Sequence, residues 1–237
     1  MASAAEQLAA NVNFAAFSKA TDLQKRIWFT LIALVVYRLG TFIPIPGVDP
    51  VQFEHMFQSQ QNGILGMFNM MSGGAVKRMA IFALNVMPYI SASIIVQLMT
   101  TAIPSWEKLK KEGEAGRKQL NQYTRWLTVA LAIFQGYGIA IGLENSQGVV
   151  SDPGLFFRAT TVITLLCGTM FVMWLGEQIT ARGVGNGSSL IIFTGIVASL
   201  PRAILQTLEL GRTGNLNFFQ FIMIVAIVIG VIFLIVF

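Results

Sequence analysis

The stretch Ile64-Leu-Gly-Met-Phe-Asn-Met-Met-Ser-Gly-Gly-Ala75, then Lys77-Arg78, then Ile81-Phe-Ala-Leu-Asn-Val-Met-Pro-Tyr-Ile-Ser-Ala-Ser-Ile-Ile-Val-Gln-Leu-Met99, decides how this chain is read. It is one apolar region broken in two by a pair of cations. The first piece is well short of the roughly twenty residues a helix needs to cross a bilayer core. The second is long enough but carries Asn85, Pro88 and Gln97. Backbone groups left unpaired against lipid are too costly to occur. Interrupted segments at membrane depth are therefore found only against protein or beside a water-filled cavity. The break points to a channel or a transporter.

The rest of the chain agrees. Hydrophobic residues make up 54% of the 237 and charged residues 11%, against about a quarter charged in soluble domains. The fold class this implies is all-α, a polytopic helical membrane protein. Candidate spans are 27–43, 79–103, 126–143, 159–175, 188–205 and 218–237. Trp28, Trp106, Trp126 and Trp174 lie near their ends, as in the aromatic belt of membrane helices, although core packing explains any one of them equally well.

Orientation follows from Lys and Arg in the flanks. Lys19, Lys25 and Arg26 precede the first span, and Lys108, Lys110, Lys111, Arg117, Lys118 and Arg125 follow the second. Placing both groups in the cytoplasm leaves Lys77 and Arg78 as exceptions outside and puts both termini inside. The net charge of +5 then reflects topology and anionic lipid, with no specific nucleic-acid partner. Residues 1–26 form a cytoplasmic tail with weak amphipathic character (Leu8, Val12, Phe14, Phe17). Pro44-Ile-Pro-Gly-Val-Asp-Pro50 cannot be helical throughout and reads as a capped turn into the broken segment. The polar start lacks the pattern of a cleaved secretory leader. The last apolar run ends flush at Phe237, which suggests part of a longer protein.

Few residues have the makings of catalysis or metal binding. His55 lacks Cys or carboxylate neighbours at ligand spacing and reads as a surface histidine. Cys167 is the single cysteine, so no intrachain disulfide is available. No Ser–His pair, Asp pair or His cluster falls in the spans, and acid–base catalysis needs such groups within reach. No enzyme activity, cofactor or metal is expected. Gly183-Val-Gly-Asn-Gly187 is Gly-rich but follows no strand, so it reads as a tight turn rather than a phosphate loop. Glu177, at a helix end, is expected to cap or to pair with Arg182. Arg38, deep in span one, is expected to make an ion pair or a backbone-carbonyl contact.

Several long motifs carry a resemblance. The Met87-Pro-Tyr-Ile-Ser-Ala-Ser93 core, Met67-Phe-Asn-Met-Met-Ser-Gly-Gly74, and Trp174-Leu-Gly-Glu-Gln-Ile-Thr-Ala-Arg-Gly-Val-Gly-Asn-Gly187 resemble the SecY family of protein-conducting channel subunits. Phe42-Ile-Pro-Ile-Pro-Gly47 and Lys110-Lys-Glu-Gly-Glu-Ala-Gly-Arg117 fit the same family. The similarity runs from about Arg26 to Phe237 and covers the family's N-terminal half. It implies a first five-helix repeat over 27–210, with a basic cytoplasmic loop at 104–125, and the start of a second, inverted repeat over 211–237.

The resemblance also implies site residues. Val86, Ile90 and Ile192 would belong to an apolar ring that seals the pore. The segment 64–76 would be a movable plug, comprising Ile64, Leu65, Gly66, Met67, Phe68, Asn69, Met70, Met71, Ser72, Gly73 and Gly74. Read from residues alone, this segment is equally a fixed re-entrant helix. Ser91, Ile94 and Gln97 would line a lateral gate, in a span bent by Pro88, and interhelical hydrogen bonding is the plainer alternative for the polar pair. Lys108, Lys110, Lys111, Arg117 and Lys118 would face cytoplasmic partners. The family pattern has Gly where this chain has Asn85, an amide placed to wet the constriction or to hydrogen-bond across the gate.

The implied function is passage of unfolded secretory polypeptides across the bacterial inner membrane, with lateral release of membrane proteins and recognition of signal sequences. Implied partners are the SecE and SecG subunits, the SecA motor ATPase, the ribosome with its nascent chain, YidC and membrane lipid. A secondary transporter is the competing reading, weakened because spans one to five lack a second intramembrane carboxylate to couple an ion.

Overall fold

A computed structural model describes residues 21–59, 64–146, 148–212 and 218–236. The expected tail over 1–20 lies outside them. The described helices are α1 (Thr21–Gly40), α2 (Pro50–Ser59), α3 (Ile64–Met71), α4 (Met87–Ala102), α5 (Pro104–Lys111), α6 (Glu114–Glu144), α7 (Leu155–Arg182), α8 (Gly187–Arg212) and α9 (Phe218–Val236). No strand occurs among the described residues, only isolated bridges between Pro44 and Ala80 and between Val48 and Val150.

Three helices are long and apolar enough to span a bilayer: α6, α7 and α8 as far as Thr207. α4 and α5 reach that length and apolarity only as a pair, and they are bent by 103° at the break between them. Pro104 begins α5, and its ring forces Ile103 out of helical backbone (φ −110°, ψ 118°). α6 packs on both α4 and α7, while α8 packs on α7, α3 and α1.

The second span departs from the expectation of a helix over 79–103. The chain from Ser72 to Val86 runs in turns, and helix begins only at Met87. Pro88 therefore does not bend a helix interior; it sits in the first turn of α4, where a missing N–H costs nothing. The preceding turns satisfy their own backbone through short bonds, among them Ala83 N to Ala80 O (2.8 Å) and Asn85 N to Phe82 O (2.9 Å). At 16 residues, α4 is about 24 Å long and leaves the rest of the bilayer to this buried, irregular stretch.

The stretch 104–125 is likewise helical rather than a loop. It is α5, a short turn, and the first turns of a 31-residue α6. Trp106 stacks on Tyr123 with ring centroids 5.0 Å apart, closing the α5–α6 hairpin. Gly116 meets the Leu109 carbonyl where any Cβ would clash. Trp126 lies inside α6 and not at its start.

Two cores hold the fold. One gathers Ile45, Val48, Phe53, Phe57, Met79, Leu84, Leu143 and Phe157 around the 41–50 turn. Asp49 caps α2 there, its Oδ1 accepting from Val51 N at 2.9 Å. The other gathers Ala33, Tyr37, Phe82, Val86, Val172, Leu175, Ile179 and Ile191 between α1, α7 and α8. Tyr37, Phe82 and Phe171 stack in series at 6.1 and 5.7 Å.

Candidate functional site: a clasped short helix beside a polar groove

α3 has eight residues, too few to be stable alone. Its last turn is closed by two glycines. Gly73 N donates to Met70 O (3.1 Å) and Gly74 N to Asn69 O (2.9 Å), with φ of +65° and +88°. This is a Schellman cap, and it calls for left-handed backbone that glycine adopts without strain. Asn69 also accepts at Oδ1 from Lys77 N (2.9 Å), which folds the following turn back on the helix.

Three successive carbonyls at this end then receive donors from elsewhere. Met71 O accepts from Asn85 Nδ2 (3.2 Å), Ser72 O from Tyr37 Oη (3.4 Å) and Gly73 O from Arg38 Nη1 (2.5 Å). The Arg38 cation also meets the negative end of the helix dipole, so the carbonyl contact expected of Arg38 is present. Gly195 of α8 lies so close to the Met71 carbonyl that a Cβ would clash. α3 is thus clasped from α1, from the turn before α4 and from α8.

Asn85 has φ +51° and is 2% exposed. Asn tolerates left-handed backbone better than other L-residues, and glycine does so freely. This accounts for a glycine at the position in the family pattern. The amide Nδ2 points at α3, where it donates to the Met71 carbonyl. Its Oδ1 accepts no hydrogen bond from the protein, and the residue lines a cavity of about 440 Å³ with Phe68, Met71, Ser91 and Gln135.

A second, polar groove of about 690 Å³ lies between α4, α6, α7 and α8, with Ile90, Ser93, Ile94, Gln97 and Ile192 in its wall. Ile90 and Ile192 are brought together there, and both pack against the core that contains Val86. Val86 itself is 1% exposed and lies beneath the groove wall rather than in it. Ser91 faces the smaller cavity, apart from Ile94 and Gln97. Within the plug segment, Met67, Phe68 and Met70 are exposed while Ser72 and Gly73 are buried. Ile64 and Leu65 form the first turn of α3.

Glu177 pairs with Arg125, not with Arg182. Arg125 donates from Nη2 at 2.6 Å and from Nε at 3.0 Å, a two-pronged bridge from α7 to α6 in the lining of the groove. Sequence spacing hides a contact between helices 52 positions apart. The turn after Arg182 is tight, as expected. Asn186 Oδ1 caps α8 by accepting from Ser188 N (3.1 Å), and Thr180 Oγ1 accepts from Gly187 N (2.9 Å). Lys108, Lys110, Lys111, Arg117 and Lys118 are all exposed on α5 and the start of α6. His55 is exposed on α2.

Glu144 was not singled out from the sequence, yet it joins two spans. It accepts from Arg158 Nε at 2.6 Å and from Gly154 N at 2.8 Å, tying the end of α6 to the start of α7. On α2, Glu54 holds Lys77 at 2.7 Å. The Lys77 ammonium, hydrogen-bonded to that carboxylate, keeps Glu54 below the usual carboxylate range.

A bent, partly unwound apolar segment, a short docked helix and a groove lined by four helices define the fold of a polytopic helical membrane protein. Two solved structures share it, each with a TM-score of 0.60 at 15% identity: a protein-conducting channel (87% of this chain, 45% of that one) and Sec61 in a canine ribosome-channel complex from the endoplasmic reticulum (87% and 46%). The SecY family model matches residues 80–237, and the chain belongs to the SecY family. The protein translocase subunit SecY of Escherichia coli K12 is 52% identical over 219 residues, covering 91% of this chain and 49% of that protein. That of Rickettsia felis is 55% identical over 225 residues (92% and 51%), and that of Buchnera aphidicola subsp. Acyrthosiphon kondoi 52% over 219 (91% and 62%). The chain spans about half to three fifths of the length of these relatives.

Proposed function

We propose that this chain forms the N-terminal half of a protein-conducting channel, a passive pore in the bacterial inner membrane with its N-terminus in the cytoplasm. The observation that carries the reading is a short helix clasped at its C-terminal end beside a groove lined by both polar and branched aliphatic side chains. α3 is held by contacts at its C-terminal end, while Met67, Phe68 and Met70 stay exposed. Such an element can leave as a unit. Methionines on its surface supply adaptable packing without a chosen partner. Ile90 and Ile192 supply an apolar constriction that resists wetting, and β-branched side chains there are stiff. Val86 supports them from behind. Ile94 and Gln97 on the same groove form one wall of a lateral exit.

The exposed lysines of α5 and α6 are the surface for a cytoplasmic driver, SecA or a translating ribosome. SecE, SecG and YidC are partners on the membrane side. The pore has no catalysis of its own. The test is an arrested secretory chain in membranes holding the full-length protein, with a photoreactive probe replacing Ile90. Crosslinking to the nascent chain supports the channel. Saturable uptake of a small solute that is lost on substituting Glu177, with no crosslink, would establish a transporter instead.

A further inference from the structure

The groove has a polarity that its role as a conduit does not require. Among its described lining residues Glu177 is the one acid and Arg125 the one base. The remaining polar groups, such as Gln97, Asn121, Thr180 and Asn186, are neutral. The two charges are joined, but neither is locked away: the Arg125 side chain is 53% exposed and that of Glu177 30%. Arg125 also lines an adjoining outer groove with Lys118, Trp126 and Met170. The guanidinium therefore has a second place to lie, where solvent can take it. A half-exposed ion pair contributes little net stability, so exchanging one cation on Glu177 for another is nearly neutral.

The same groove is also lined by Ile90, Ile94 and Ile192. A carboxylate and branched aliphatic side chains lining one groove match a segment that begins with Lys or Arg and continues as an apolar run. Secretory leaders have this pattern. Resting on the channel reading above, we propose that Glu177 receives the basic start of an incoming leader in exchange for Arg125. Arg125 is then a positioning residue. It keeps Glu177 paired when the groove is empty, and it withdraws to the outer groove when a peptide cation arrives. The carboxylate accepts charge-assisted hydrogen bonds from the peptide and sets the register at which the apolar run meets the aliphatic wall.

The test uses the full-length protein in its native membrane, with a photoreactive side chain replacing Ile94. Two precursors are compared, one with two lysines before its apolar run and one with glutamines there. In otherwise wild-type protein the lysine precursor should crosslink about fivefold more, the size expected of a partly exposed ion pair. Glu177→Gln should abolish the difference, bringing the lysine precursor down to the level of the glutamine precursor in the same variant. Glu177→Asp should keep most of it, and Arg125→Gln should raise the lysine precursor alone. An unchanged lysine preference in Glu177→Gln, or an equal fall of both precursors, overturns the proposal and leaves the bridge a structural tie between α6 and α7. Absence of any crosslink in the protein with Glu177 intact overturns the channel reading itself, and this inference with it.

Discussion

Arg38 Nη1 donates to the carbonyl of Gly73 at 2.5 Å, joining the first span to the end of the short helix 35 residues later. A guanidinium deep in a span is costly unless it has partners. Here it satisfies a carbonyl that the Schellman cap leaves free, and it lies over the Phe42 ring at 5.2 Å. The same contact explains how Arg38 can lie half-buried and why α3 stays docked.

Arg38→Gln should weaken this docking. A hydrogen bond to a charged group contributes about 1.5–3 kcal/mol, so the released form of α3 should rise by roughly tenfold or more. Amide hydrogen exchange over residues 73–77 in the full-length protein reads this directly. Exchange as slow as in the wild type would show that the Tyr37 and Asn85 bonds suffice.

Asn85→Gly should separate backbone strain from the hydrogen bond. Glycine accepts the φ of +51°, so the turn survives, but the donor to Met71 O is lost. Docking should weaken by about 1 kcal/mol, the net value of a neutral hydrogen bond, and ion leak through the complex should rise several-fold. Asn85→Leu loses the donor and also forces a bulky residue into left-handed backbone, at about 1–3 kcal/mol more. Conductance in planar bilayers should rank Leu above Gly above Asn.

These two residues also show how far the sequence could be read. The broken segment, the class and the α6–α8 spans follow from hydropathy and charge, because lipid imposes length and apolarity on every spanning helix. Hydropathy reports depth and not conformation, however, and 79–86 is apolar throughout except for Asn85. Nothing before Pro88 marks that stretch as non-helical, so the span was drawn eight residues too early. The stretch 104–125 failed in the opposite sense: its charges suggested a loop, while the helix there is held by Trp106 on Tyr123 and by the Gly116 contact. Glu177 was assigned its nearest cation in sequence, since pairing with Arg125 depends on how α6 lies against α7. The one available hint for Asn85 was its departure from the family's glycine, which is a backbone requirement written in residue type.

Gly195→Ala tests the third side of the clasp. A Cβ there meets the Met71 and Gly73 backbone, which cannot turn aside as a side chain can. Overpacking of this kind costs about 1–3 kcal/mol, so α3 should be displaced while α8 stays helical. A faster proteolytic cut near Met67, with α8 still protected, is the expected result. Uniform loss of protection along the chain would instead indicate a general folding defect.

The Glu54–Lys77 pair gives the clasp a pH dependence. Lys77 lowers the Glu54 pKa in the folded protein. The pair's contribution is therefore fully present above the unfolded value, about 4.3, and is lost as pH falls through the lower folded value. Exchange of the Lys77 amide, which Asn69 Oδ1 accepts at 2.9 Å, should show less protection below about pH 4 than the fall in its intrinsic rate allows. Lys77→Met removes the partner that shifts Glu54, so the extra acid sensitivity should disappear and the protection should become flat across that range. If the variant keeps the same acid transition, the sensitive group is not Glu54, and the turn after α3 is held by Asn69 alone.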